Sequence, residues 1–163
     1  VATPPVFALN GHKENEIRVM YTSGQLPADR ESLFWVTVAN IPQADSQQQN
    51  TLQIAVRSRM KLFYRPKGVQ GDSQQAYRQL TWRRQGKTVT VQNPTPFYVT
   101  LLNMQSNGQS IAGAGMVAPL SSRSVAWCPA QGGCALQWQT LNDYGRAMPA
   151  MRISPDAQAR KGQ

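Results

Sequence analysis

Two cysteines and one histidine are the residues whose chemistry could support a metal site or a redox reaction. Cys128 and Cys134 lie in WCPAQGGCAL, and His12 is the only histidine in the chain. A zinc site would need more ligands of these types, and the cysteine spacing differs from that of a thioredoxin-like redox pair. The sequence favours a small-loop disulfide worth about 2 kcal/mol, which indicates an oxidising compartment. Two free thiols are the alternative.

The groups needed for catalysis are scarce. The chain has 8 Asp and Glu residues and a single histidine, and we find no nucleophile motif. These residues offer no plausible pairing of nucleophile, general base and electrostatic stabiliser. The sequence therefore predicts a binding protein without a cofactor or metal, not an enzyme.

The chain is strongly basic, with 17 Lys and Arg residues and a formal net charge of +9. The charge serves either solubility or the binding of an acidic partner such as nucleic acid or an anionic cell-surface polymer. No nucleic-acid signature accompanies it. No apolar run is long enough to cross a bilayer, and a signal peptide is either absent or already removed.

The segment NTLQIAVRSRMKLFYRP, residues 50–66, alternates apolar and polar side chains. Its first apolar positions are Leu52, Ile54 and Val56, and the intervening positions are largely cationic. A period of two predicts a β-strand with one apolar and one cationic face. A strand over residues 51–65 would span about 50 Å, well beyond an ordinary strand.

Short alternating runs cover the remainder of the chain. In the first half they predict strands at 4–10, 15–21 and 32–41, besides 51–65. In the second half seven short strands are predicted, with turn signals every 8–12 residues, as is typical of an immunoglobulin-like sandwich. These seven lie at 80–85, 87–93, 94–104, 110–120, 121–127, 134–142 and 147–154. We predict an all-β chain divided into residues 1–66, a linker at 67–78, and residues 79–163.

The first half is an incomplete sandwich by this count. Its four strands have no visible partner sheet, which leaves the apolar faces of Phe34, Val36 and Val38 without cover. Such a half sandwich would expose a large apolar area in water. Either part of the domain is missing or something is borrowed to cover it.

Several long motifs resemble the periplasmic pilus chaperones of the chaperone–usher pathway, the PapD-like family. They are, in chain order, VATPPVFALNGHKENEIRVMYTSGQLPADRESLFWVTVANIP, NTLQIAVRSRMKLFYRP, LTW, NPTPFYVT and LNDYG. The resemblance covers nearly the whole chain. It implies two immunoglobulin-like domains in an L shape, the first one incomplete, and a non-enzymatic role in the periplasm. The implied partners are pilin subunits and an outer-membrane usher, with no nucleic acid and no membrane insertion.

The resemblance also implies roles for particular residues. Leu52, Ile54 and Val56 match the residues that fill the open groove of a pilin by donor-strand complementation, a form of β-augmentation. Lys61 matches the lysine that binds the subunit's terminal carboxylate. Three further residues match an inter-domain charge network, and they are Glu31, Arg65 and Asp143. Arg57 and Arg59 are either subunit contacts or surface charge.

The chain departs from the family at its beginning. We expect roughly the first sixty residues of the usual mature chain, and thus the first strands of one sandwich domain, to be lacking. An arginine that shares the carboxylate with the lysine would be lacking with them. Three explanations are open: truncation, strand exchange in a homodimer, or a separately supplied half. The rival function is a basic immunoglobulin-like module that binds an acidic partner.

Overall fold

The computed structural model describes residues 1–22, 24–42, 52 and 54–155. Within them the regular structure is β-strand, apart from one turn of 3-10 helix at Ala76–Gln79. The all-β prediction is therefore confirmed. The strands are β1 (Ala2–Thr3), β2 (Arg18–Val19), β3 (Ser32–Asn40), β4 (Val56–Tyr64), β5 (Thr81–Gln85), β6 (Thr88–Asn93), β7 (Val99–Ser106), β8 (Gln109–Ser110), β9 (Met116–Val117), β10 (Ser121–Val125), β11 (Leu136–Thr140) and β12 (Met151–Ile153).

The N-terminal region, residues 1–66, contains two separate antiparallel pairs. Strand β1 pairs with β2. Strand β3 pairs with β4 over nine residues, from Ser32 opposite Tyr64 to Asn40 opposite Val56. Because the described sheet has only these two strands, each presents one edge without a strand partner.

The C-terminal region, residues 79–155, is a two-sheet sandwich. One sheet has the order β10-β6-β5, and the other has the order β12-β11-β7-β8, with β9 also paired to β7. Alternate residues of β6 and β11 are buried, as expected where one face of each strand packs against the core. Trp82 and Trp138 connect the two sheets, with ring centroids 4.7 Å apart.

Tight turns fix the register of the C-terminal hairpins. Asn107 and Gly108 join β7 to β8 with φ angles of 49° and 80°, and Ser106 pairs with Gln109 across the turn. Two consecutive positive φ angles are what a type I′ hairpin turn requires, and Asn-Gly is its preferred sequence. Asn103 also has a positive φ, beside a register shift between β7 and β11. This irregularity lets both Leu101 and Met104 point into the core.

The two regions differ in what they bury. The hydrophobic core is built from residues 76–138, with Trp82, Val89 and Val91 completely buried. In the described part of residues 1–66 the buried residue is a carboxylate, Glu31, which is 4% exposed. The large apolar side chains around it in sequence are exposed or half-buried.

Several predicted strands are shorter than the sequence pattern indicated. The strand predicted at 51–65 is observed as Val56–Tyr64, and residues 51 and 53 lie outside the described part. Residues 4–10 form no strand, because Pro4 and Pro5 lack the backbone N–H that a ladder needs. The strand predicted at 110–120 is interrupted, since Gly113 and Gly115 both adopt positive φ angles.

Candidate functional site

Strand β4 has two chemically different faces, as its register with β3 defines them. Arg57, Arg59 and Lys61 alternate with Ser58 and Met60, and every residue of the strand is exposed. Odd-numbered positions carry the positive charges, and Val56, Met60 and Leu62 lie on the even-numbered face. Since β4 is an edge strand within the described sheet, its backbone can accept a further strand on one side.

The three predicted donor residues lie at the beginning of this strand. Val56 is its first residue and pairs with Asn40, whereas Leu52 and Ile54 precede it and belong to no described strand. Their side chains are 87%, 67% and 55% exposed for Leu52, Ile54 and Val56. They therefore do not pack into a core of this chain.

Lys61 lies on the cationic face, directly opposite Trp35 of β3. Its Nζ atom is 5.8 Å from the centroid of the Trp35 ring, and the Cζ atom of Arg59 is 4.1 Å from the same centroid. The contact between Arg59 and Trp35 follows from the diagonal spacing of side chains across an antiparallel pair. Sequence reasoning gave Arg59 no definite role and did not single out Trp35.

Glu31, Arg65 and Asp143 are brought together at the junction of the two regions. Arg65 donates from Nε to Glu31 Oε1 at 2.8 Å. It also donates from Nη1 to Asp143 Oδ2 at 2.9 Å and from Nη2 to Asp143 Oδ1 at 3.1 Å. The pairing with Asp143 is bidentate, which is the geometry a planar guanidinium favours.

The electrostatics of this cluster follow from its hydrogen bonds. The hydrogen bond from Arg65 holds the pKa of Asp143 below its ordinary value, although burial opposes the effect, and the hydroxyl of Ser73 adds to it. The hydrogen bond to Asp143 raises the pKa of Arg65, burial opposes this rise, and Glu31 contributes to it. The cluster is therefore fully charged at neutral pH.

Backbone and hydroxyl groups complete the junction. The Glu31 N–H donates to Pro96 O at 2.9 Å, and the Tyr98 N–H donates to Glu31 Oε2 at 2.7 Å. Ser73 Oγ donates to Asp143 Oδ2 at 3.0 Å. Sequence reasoning missed Ser73 and the Pro96–Tyr98 segment, because a backbone amide or a single serine carries no motif.

The turn LNDYG holds Asp143 in place. Asn142 Oδ1 accepts hydrogen bonds from the N–H groups of Tyr144 and Arg146. Gly145 has a φ of 73°, a conformation that glycine adopts without strain. The turn and the charge cluster are thus both formed by the same five-residue segment.

Aromatic side chains extend the contact between the regions. The rings of Phe63 and Tyr98 have centroids 5.4 Å apart, and the Cζ atom of Arg65 lies 5.1 Å from the Phe97 centroid. Phe63 lies two residues beyond Lys61 on the same face of β4. The cationic face therefore ends where the C-terminal region begins.

The disulfide between Cys128 and Cys134 is formed, which confirms the prediction from the sequence. Both cysteines are buried beside the core. Arg84 donates to the carbonyls of Pro129 and Gly132 within the closed loop. The disulfide belongs to the C-terminal sandwich, remote in the fold from β4.

Neither a metal cluster nor a membrane-crossing helix is found among the described residues. They contain no group of three or more His, Cys, Asp or Glu side chains that could hold a metal ion. No helix in this part of the chain has the length and apolar character needed to cross a membrane.

Two family models match the chain. Residues 1–70 match the N-terminal domain of PapD, described as a pili and flagellar-assembly chaperone. Residues 75–151 match the C-terminal domain of the pili assembly chaperone PapD. Together the two models cover most of the chain in the order in which a pilus chaperone carries them.

Individual relatives agree with the family models. The chaperone protein FimC of Escherichia coli K12 is 40% identical over 154 residues, which is 93% of this chain and 63% of FimC. The chain thus spans less than two thirds of FimC.

Solved structures of similar proteins give the same result. The E. coli chaperone DraB is 37% identical, with a TM-score of 0.77 over 94% of this chain and 72% of that chain. The structure of the Salmonella enterica SafA pilin in complex with the SafB chaperone matches at 28% identity, with a TM-score of 0.82 over 94% of this chain and 74% of that chain.

Proposed function

Because the chain belongs to the family of PapD-like pilus-assembly chaperones, we propose that it binds pilin subunits in the periplasm by donor-strand complementation. The subunit would receive Leu52, Ile54 and Val56 in its open groove while its backbone pairs with the free edge of β4. Delivery of the subunit to an outer-membrane usher is part of the same proposal.

The exposure of these three side chains, next to an edge strand, is the observation that carries the proposal. Burying one apolar side chain of this size contributes about 1.5–3 kcal/mol, so three contribute roughly 5–9 kcal/mol before the cost of association. An exposed apolar edge is otherwise a site of aggregation. A protein that lends this edge to a partner turns the hazard into its binding energy.

Lys61 and the charge cluster have separate roles in the proposal. Lys61 pairs with the terminal carboxylate of the subunit and thereby fixes the register of the added strand. Glu31, Arg65 and Asp143 hold the two regions at a fixed angle, a role that a partly buried ion cluster fulfils more reliably than it adds stability.

The test is co-expression of the chain with a panel of pilin subunits, SafA among them, and measurement of the subunit recovered in a soluble 1:1 complex. We expect Ile54→Asp to abolish recovery, because a charge would have to enter an apolar pocket. Val6→Asp is the matched control, since Val6 is also an exposed apolar residue of the N-terminal region. Equal recovery with Ile54→Asp and with the unsubstituted chain would refute the proposal.

The cationic face of β4 favours one alternative, a basic module that binds an acidic partner. The two functions differ in how binding depends on salt. Complementation is driven by apolar burial and depends weakly on salt, whereas counterion release gives a steep salt slope. A steep slope combined with indifference to Ile54→Asp would support the alternative.

A further inference from the structure

Trp35 of β3 contacts two positively charged side chains of β4. Arg59 lies over the ring at 4.1 Å and Lys61 approaches it at 5.8 Å. A guanidinium or ammonium group is attracted to the face of an indole ring. One aromatic side chain thus holds two like charges near each other on an exposed sheet surface.

These two cations lack a carboxylate partner within the described part of the chain. The nearby acidic groups are engaged elsewhere, since Glu31 and Asp143 pair with Arg65, and Asp29 pairs with Arg30. Two neighbouring cations repel each other. A bound anion between them would relieve this repulsion and be held by both.

The position of the pair on β4 indicates what kind of anion it would take. Phe63, the next residue on the same face after Lys61, is in contact with Tyr98 of the C-terminal region. A partner segment that follows this face from Val56 meets the C-terminal region just beyond Lys61. A segment that ends there, with its chain-terminal carboxylate, fits this boundary better than a segment that must continue.

We infer that Arg59, Lys61 and Trp35 form one carboxylate-binding site, in which Arg59 is a second cation and Trp35 is a positioning residue. The inference rests on the proposed function, because the carboxylate is that of a bound β-strand. It assigns to Arg59 and Trp35 a share in recognising the end of the partner chain. Trp35 acts through the two cations and makes no ion pair itself.

The test uses the full chain and two synthetic peptides of alternating valine and threonine residues. The peptides differ only at the C-terminus, which is a free carboxylate in one and a carboxamide in the other. Isothermal titration calorimetry at low salt gives the ratio of their dissociation constants, which isolates the carboxylate from strand pairing. Far-UV circular dichroism checks that each variant is folded.

We expect Arg59→Gln to reduce the preference for the carboxylate peptide about three- to fivefold, the size of one partly exposed ion pair. Trp35→Ala should reduce the preference by a similar factor without weakening the carboxamide peptide, and Trp35→Tyr should restore it because the tyrosine ring also attracts cations. Arg57→Gln is the matched control, with the same charge change on the same face, and should leave the ratio unchanged.

The outcomes separate the inference from the proposed function. A ratio that falls with Lys61→Ala but not with Arg59→Gln or Trp35→Ala overturns the inference and leaves the function standing. A ratio that falls equally with Arg57→Gln also overturns it, since the charge would then act diffusely. If neither peptide binds the unsubstituted chain, the function and the inference fail together.

Discussion

The two halves of this chain use the same sequence pattern and reach opposite patterns of burial. In the C-terminal region the alternating residues of β6 and β11 enclose a core around Trp82. In the N-terminal region β3 and β4 alternate as regularly, yet β4 has no buried residue. Alternation defines two faces of a strand but not what covers them, so a second sheet decides the outcome.

The largest expected difference between the regions comes from their tryptophans. Trp82→Ala should lower the free energy of unfolding of the C-terminal region by about 3–5 kcal/mol, because it leaves a cavity beside Trp138. Trp35→Ala, at a position that is 46% exposed, should cost about 1 kcal/mol or less. Urea denaturation followed by circular dichroism measures both. Similar losses would show that β3 is buried in solution and would remove the contrast.

Removing the disulfide tests how far the C-terminal core depends on its covalent link. Replacing both Cys128 and Cys134 by alanine opens a short loop, so we expect a loss of about 2 kcal/mol in unfolding free energy. The same urea titration, compared with the unsubstituted chain under reducing conditions, measures it. Arg84→Ala in the oxidised chain is the control for loop contacts. A loss near zero would mean that the core alone holds the loop.

Glu31→Gln tests the contact that joins the two regions. The amide retains the volume and can still accept from the Tyr98 N–H, but it loses the charge that pairs with Arg65. We expect a loss of about 1–2 kcal/mol, as for a hydrogen bond to a charged group. Changed amide resonances at Pro96–Tyr98 neighbours in NMR spectra should accompany it. Asp29→Asn, in an exposed ion pair, is the control and should change neither quantity.

The smallest expected effect is a pH dependence at the same junction. Asp143 has a lowered pKa in the folded chain, so its contribution to stability is present above its unfolded pKa and is lost as pH falls through the folded value. The stability difference between the unsubstituted chain and Asp143→Asn should therefore shrink below about pH 4. Ser73→Ala, which removes one hydrogen bond to this carboxylate, should reduce the pH dependence only partly. A difference that stays constant to pH 2 would contradict the assignment.

The sequence was sufficient for the class of fold, the disulfide and the family. Strand ends and burial were harder to predict, because glycine and proline interrupt ladders locally. Leu141 was expected to continue the alternation of Leu136 and Trp138, but Thr140 is buried in its place and Leu141 is exposed. That shift accompanies the irregular pairing of β11 with β7.

The candidate site was predictable in its charged residues and less so in their neighbours. Glu31, Arg65 and Asp143 lie together, as the resemblance implied. The contact of Arg59 with Trp35 depends on the register between β3 and β4, which no local pattern specifies. Ser73 and Tyr98 contribute a hydroxyl and a backbone N–H, groups that almost every segment of a protein can offer.

The burial of Glu31 has a consequence for how this chain can mature. All the groups that satisfy this carboxylate and its backbone N–H come later in the sequence, from Arg65, Pro96 and Tyr98. A chain synthesised from its N-terminus must keep Glu31 hydrated until those residues have emerged. The first half therefore completes its structure last, when the finished second half closes over a waiting negative charge.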